Sequence, residues 1–299
     1  SRQFGAEVAI TFPQFLFPLG SYYKNKMGQF NPKTRVSFGF SFEDRINEYQ
    51  RTTYRGTYTY SWQLRDQIRY QLTTLELSIT DSRIVPGPYQ DFIDTLLLQN
   101  NPYALAFEAA VVTSSAFQMD WTIGKYATFQ EGAYLRFNAE IGGNLTDLVG
   151  ESFFGRGLET FQYAKTQIDL RQIKRLSRDA NLAGRISVGL AYPYGDNQSL
   201  PYEKYFFAGG SSSIRAWKPR RLGPGAYGVF EEDSEGNPTN KVDFDKEQRG
   251  ELIIEESLEL KKGMMEFSNS IDFWMKWQSD RVLDCGSIYS FWSSELTWE

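Results

Sequence analysis

The chain has no histidine and a single cysteine, Cys285. Without imidazole the commonest general base is gone, and with it the Ser-His and Cys-His nucleophile pairs and imidazole metal sites. A lone cysteine closes no intramolecular disulfide and builds no thiolate cluster. Hydrolytic chemistry is a poor fit, so the expectation is a protein that is not an enzyme and uses no metal or cofactor. Basic charge is also scarce: 32 Lys and Arg stand against 37 Asp and Glu, a formal net charge of −5. That balance disfavours a phosphate-backbone binder, and no nucleic-acid partner is expected. No apolar run reaches the roughly 18 residues of a spanning helix, which excludes a helical membrane protein. Nothing marks a linker, so the 299 residues read as one domain.

What is abundant is large rings. Aromatics make up 16% of the residues although the mean hydropathy is −0.47. Alternation of period two recurs almost end to end. Phe4, Ala6, Val8, Ile10 and Phe12 share one parity, as do Val36, Phe38, Phe40 and Phe42, and then Tyr54, Gly56, Tyr58, Tyr60, Trp62 and Leu64. Ile68, Tyr70 and Leu72 change parity to Leu75, Leu77 and Ile79 across Thr73-Thr74, as one extra residue in a β-bulge would require. Leu135, Phe137, Ala139 and Ile141 oppose Arg136, Asn138 and Glu140, and Ile186, Val188, Leu190 and Tyr192 oppose Arg185, Ser187 and Gly189. Such two-faced strands suit a soluble sandwich, with polar faces in water, or a membrane barrel, with apolar faces in lipid and polar ones in the lumen. At ~18 residues per strand and turn, the chain makes roughly 16 strands.

Two segments break the period. Tyr89 to Leu98 sets Phe92, Ile93, Leu96 and Leu97 at helical spacing and predicts a short helix on a loop. Glu231 to Glu247 is acidic and aperiodic and reads as a solvated loop, with no metal site.

The stretch Leu200 to Gly228 is denser in specific residues than any other. Gly209 and Gly210, a serine run, Ile214-Arg215-Ala216-Trp217 and Leu222-Gly223-Pro224-Gly225 describe a tight, non-helical path that buries an arginine. It resembles the lid-loop signature of the BamA/TamA-type outer-membrane barrel assembly family. There an aromatic-Gly-Gly element precedes a Val/Ile-Arg-Gly-aromatic motif and a Leu-Gly-Pro-Gly turn. Ala216 departs from it, standing where the family has glycine.

The resemblance implies an all-β transmembrane antiparallel barrel over residues 1–299, with a lid loop of about 193–249 folded into its lumen. It also implies a location in the bacterial outer membrane. The family carries periplasmic domains before its barrel, and none of this sequence is assigned to them; opening on Ser-Arg-Gln-Phe, the chain reads as a mature or trimmed piece. A guanidinium taken out of water must find carboxylates, since breaking a buried pair costs about 3–5 kcal/mol. The family's pattern assigns Arg215 the partners Glu259, in Ser257-Leu258-Glu259-Leu260, and Asp284, in Val282-Leu283-Asp284-Cys285-Gly286. Asp272 is the alternative to Asp284, because it alternates more cleanly with Ile271, Phe273, Met275 and Trp277.

The implied function is insertion of client β-barrels, without covalent chemistry or nucleotide. Phe4, Gly5, Ala6, Glu7, Val8, Ala9 and Ile10 would act as a weakly paired first strand that templates an incoming one. The partners would be the outer-membrane bilayer, client outer-membrane proteins, and accessory lipoproteins or periplasmic subunits. The alternatives are a protein-secretion transporter of the same superfamily and a passive pore.

Overall fold

Strands with Val, Ile, Thr, Tyr and Phe at alternate positions satisfy their backbones by pairing with neighbours, and most of the described ones form an antiparallel sheet. The computed structural model describes residues 2–16, 28–46, 49–98, 109–126, 130–143, 159–177, 180–195, 199–211, 213–214, 217–222, 230–232, 238–242, 249–262, 269–277 and 291–296. Its strands are β1 (Arg2–Phe12), β2 (Lys33–Arg45), β3 (Tyr49–Leu64), β4 (Ile68–Ile84), β5 (Ala110–Gly124), β6 (Gly132–Gly142), β7 (Glu159–Thr160), β8 (Tyr163–Arg175), β9 (Ala180–Pro193), β10 (Phe230–Glu232), β11 (Pro238–Val242), β12 (Leu252–Lys262), β13 (Asn269–Trp277) and β14 (Phe291–Leu296). Among the described residues one α-helix, α1, spans Pro88–Leu98.

Hydrogen-bonded neighbours follow the order β1-β2-β3-β4-β5-β6-β8-β9-β12-β13-β14, with the short β7 on β5. The expectation of sixteen strands counts the whole chain; the described residues place eleven on this path. The chain divides into two compact units. One comprises Ser1–Asp120, Asn138–Lys165 and Tyr192–Lys204, the other Trp121–Phe137, Thr166–Ala191 and Tyr205–Glu299.

In the first unit, register fixes the faces. Phe4, Ala6, Val8 and Ile10 pair with Phe42, Phe40, Phe38 and Val36. The last three pair with Tyr54, Gly56 and Tyr58 of β3. The next step shows the bulge that the parity change predicts. Tyr58 pairs with Leu75 but Thr59 with Thr73, so Thr74 is the extra residue. Its hydroxyl donates to the Tyr58 carbonyl at 3.2 Å, and the Thr74 carbonyl accepts from the Ser115 hydroxyl at 2.7 Å. Without this slip the rings at one end of β4 would face the other way.

The two faces are inverted relative to a water-soluble sheet. Val8 is 72% exposed and Phe38 60%, while Ser37, Thr53, Thr59, Thr73, Ser78 and Arg51 are buried. Among them Ser37 pairs across strands with Thr57 at 2.7 Å and Thr59 with Thr73 at 3.2 Å. The helix forms as its spacing predicts. Pro88 begins it, where a missing N–H costs nothing, and Ile93 is buried.

The second unit repeats the inversion. Ile186, Val188 and Leu190 on β9 are exposed and Ser187 is buried. Leu252, Ile254 and Leu258 of β12 pair with Leu190, Val188 and Gly184. Glu251, Ile253, Glu255, Ser257 and Glu259 take the opposite parity. Here one expectation fails. The acidic stretch 231–247 contains a hairpin, β10 with β11, in which Phe230 pairs with Val242 and Glu232 with Pro238. Carboxylates hide the apolar period, yet backbone pairing does not need one.

Candidate functional site

The segment from Ser199 to Leu222 is built on the polar side chains of the strands. In the first unit its opening residues form a 3-10 turn, Tyr202–Lys204. Lys204 is nearly buried, and its ammonium lies 2.6 Å from Glu140 of β6 and 3.3 Å from Glu76 of β4. Tyr163, fully buried on β8, donates its hydroxyl to the same Glu140 at 2.6 Å. Lys165, two residues on, donates to the Lys204 carbonyl at 2.8 Å. Residue 204 is thus gripped by both its side chain and its backbone.

Beside it Glu203 pairs with Arg55 of β3 at 2.9 Å, and Arg51 lies 5.0 Å over the Tyr202 ring. Burial pulls the Lys204 pKa down, but the charges of Glu140 and Glu76 outweigh it and leave the ammonium above the ordinary lysine value. Gly142 makes room for this cluster, since a Cβ there would fall within the Tyr163 ring.

In the second unit the segment is held by different chemistry. Phe206 exchanges both backbone hydrogen bonds with Gly250, each 2.9 Å, and Ala208 bridges Leu222. The Phe206 ring occupies the place a side chain at Gly189 of β9 would take; a Cβ there would come within 2.5 Å of it. Gly209 and Gly210 have φ of +97° and +92°, a region side chains rarely tolerate, and this turns the chain sharply. The turn is closed by Gly210 N to Trp217 O at 2.9 Å and Ser213 N to Gly210 O at 3.1 Å. Ile214 is buried, and Trp217 donates its N–H to the Ile214 carbonyl at 3.2 Å.

Ser213 donates to the carboxylate of Glu255 on β12. Glu255 pairs with Arg185 at 3.5 Å, which in turn pairs with Asp169 at 2.9 Å. Arg171 holds the other side of Asp169 at 2.7 Å.

Of the site residues expected from sequence, Gly209, Gly210, Ile214 and Trp217 form this turn. Arg215, Ala216 and Asp284 lie outside the described residues. Glu259 is half-buried on β12, in register with Ala183 and Ser270, and Asp272 pairs with Ser257 and Ser293. The segment's described contact on β12 is Glu255, on the same parity four residues earlier. Sequence reasoning assigned no role to Lys204, Glu140 or Tyr163. Parity puts Glu140 on the polar side, but a partner 64 residues away leaves no local signal.

Phe4 to Ile10 form most of β1, the first strand of the order, and every residue from Arg2 to Thr11 is exposed. No helix among the described residues is long and apolar enough to cross a membrane, which says nothing of strands.

Exposed rings over buried hydroxyls and ion pairs are the inverse of the faces of a water-borne sandwich and match the polarity of a membrane β-barrel's strands. The chain belongs to the Omp85 superfamily, whose domain matches residues 2–280. Among solved structures it is similar to BamA from Haemophilus ducreyi lacking POTRA domains 1–3, with a TM-score of 0.63 at 14% identity. The match covers 92% of this chain and 50% of that one, so the chain spans half the length of this relative. No curated protein matches it.

Proposed function

We propose that this chain is the barrel of an outer-membrane assembly factor that inserts client β-barrel proteins, with the segment of about 193–249 as a lid inside a closed barrel of about sixteen strands. β1 carries this reading. It is eleven residues long, pairs with β2 from Arg2↔Asp44 to Phe12↔Thr34, and stands at the end of the strand order. A strand so placed offers backbone donors and acceptors to an incoming strand, which gains hydrogen bonds it lacks in lipid. The work is binding and templating, with no covalent step. Client outer-membrane proteins, the bilayer and accessory lipoproteins or periplasmic subunits are the partners. A passive pore has no use for a segment tied down at so many points.

Within this reading Arg215 is the lid's guanidinium anchor, with Glu259 and either Asp284 or Asp272 as its acids. Two observations support it. Ser213, two residues before Arg215, is seated on Glu255, and Glu255 and Glu259 share one side of β12 roughly 13 Å apart. Arg215→Ala should therefore impair client insertion where Arg220→Ala does not.

The pairing is tested by cysteines placed one at a time along residues 4–10, in a Cys285→Ser background, against a cysteine in the last strand of a client. Disulfides confined to one register, stepping residue by residue in antiparallel order, support templating. Absence of any such register refutes it.

A further inference from the structure

The long segment enters its turn only after Lys204, and Lys204 is held by both its ammonium and its carbonyl. Its ammonium spans carboxylates of β4 and β6, which are not neighbours, since β5 lies between them. Its carbonyl accepts from Lys165 of β8, and the adjacent Glu203 reaches Arg55 of β3. Four strands thus converge on two consecutive residues. Side-chain exposure is 13% for Lys204 and 10% for Glu140, so water screens this pair little. Tyr163 fixes Glu140 through its hydroxyl and packs against Gly142, so the acceptor is itself held in place.

We propose that Lys204 is a positioning residue for the insertion machinery: a base anchor that sets where the segment leaves the strands, separate in residues and chemistry from any anchor at Arg215. Its consequence for insertion rests on the function proposed above; its structural role does not. Lysine suits the position because three donors on a flexible stem can serve two carboxylates that diverge, while Arg55 bridges Glu203 at 2.9 Å and Glu76 at 3.8 Å from the β3 side.

The test uses the protein folded in detergent micelles, with the heat-modifiable folded band as the measure of an intact barrel and trypsin as the probe of the segment. Cleavage after Arg220 and Arg221 reports its release. Lys204→Met keeps the stem and removes the charge; with the folded band retained, cleavage there should accelerate by about tenfold or more, as when one partner of a buried pair is lost. Lys204→Arg should stay within about threefold of wild type, because the charge is kept.

Glu76→Gln leaves Lys204 its closer partner Glu140 and should accelerate cleavage by about threefold, which keeps the test open if Lys204→Met does not fold. Cleavage at the wild-type rate in Lys204→Met, or in Glu76→Gln where that is the variant obtained, overturns the anchor. In a client-insertion assay into liposomes, Lys204→Met should be slower than wild type and Lys204→Arg should recover the rate. If wild type itself inserts nothing, the proposed function fails while the protease result still decides the anchor.

Discussion

The segment is held differently in the two units. In the first, Tyr202 to Lys204 are gripped by charge in a nearly dry cluster; in the second, Phe206 to Leu222 are held by backbone bridges, a ring seated over Gly189, and one hydroxyl on Glu255. Charge held away from water fails abruptly when one partner goes, because the other is stranded. Backbone bridges and packing lose their contributions piecemeal. The first region is therefore a fixed point and the second a seat that yields by degrees.

The comparison breaks most visibly at Glu140. Glu140→Gln removes the charge that Lys204 and Tyr163 share, and we expect a loss of about 3–5 kcal/mol, read as a lower temperature at which the folded band unfolds in SDS. The same cluster makes a pH prediction. Lys204 has a raised pKa in the folded protein, so its stabilisation is complete below the unfolded lysine value of about 10.4 and is lost as pH rises through the folded value. The unfolding difference between wild type and Lys204→Met should shrink as pH rises above about 10.

Gly142→Ala comes next. It drives a methyl into the Tyr163 ring and should cost about 1–3 kcal/mol on the same scale. Ser213→Ala, in the second region, should cost about 1–2 kcal/mol and speed tryptic cleavage after Arg220 without moving the folded band.

The smallest effect belongs to Glu7. It pairs with Arg35 at 2.8 Å, but both side chains are more than half exposed, so Glu7→Gln should leave the unfolding temperature unchanged. A large shift there would remove the distinction between wet and dry pairs on which the comparison depends.

The strands and their faces were legible because a half-buried strand writes its burial as period two, and the parity change at Thr73-Thr74 located a bulge to the residue. The helix was legible from Phe92, Ile93, Leu96 and Leu97. The turn at Gly209-Gly210 was legible because positive φ selects glycine. Pairings were not. Lys204 meets residues 64 and 128 positions away, and one sequence carries no mark of which acid on the polar face a lysine will find. The same limit applies on β12, where Glu251, Glu255 and Glu259 share a parity and the described segment reaches Glu255. The hairpin of β10 and β11 was hidden because its strands are short and its acidic residues mask any apolar period.

The central claim is that this chain lowers the barrier to inserting another barrel. It is tested most directly by the rate at which an unfolded outer-membrane β-barrel client acquires its heat-modifiable folded form in liposomes, with and without this protein in the same bilayer. The account predicts acceleration by wild type, a reduced rate with Arg215→Ala or Lys204→Met, and none with an unrelated porin at equal density. Folding of the client at the same rate in liposomes with this protein, with the porin and with neither would contradict it.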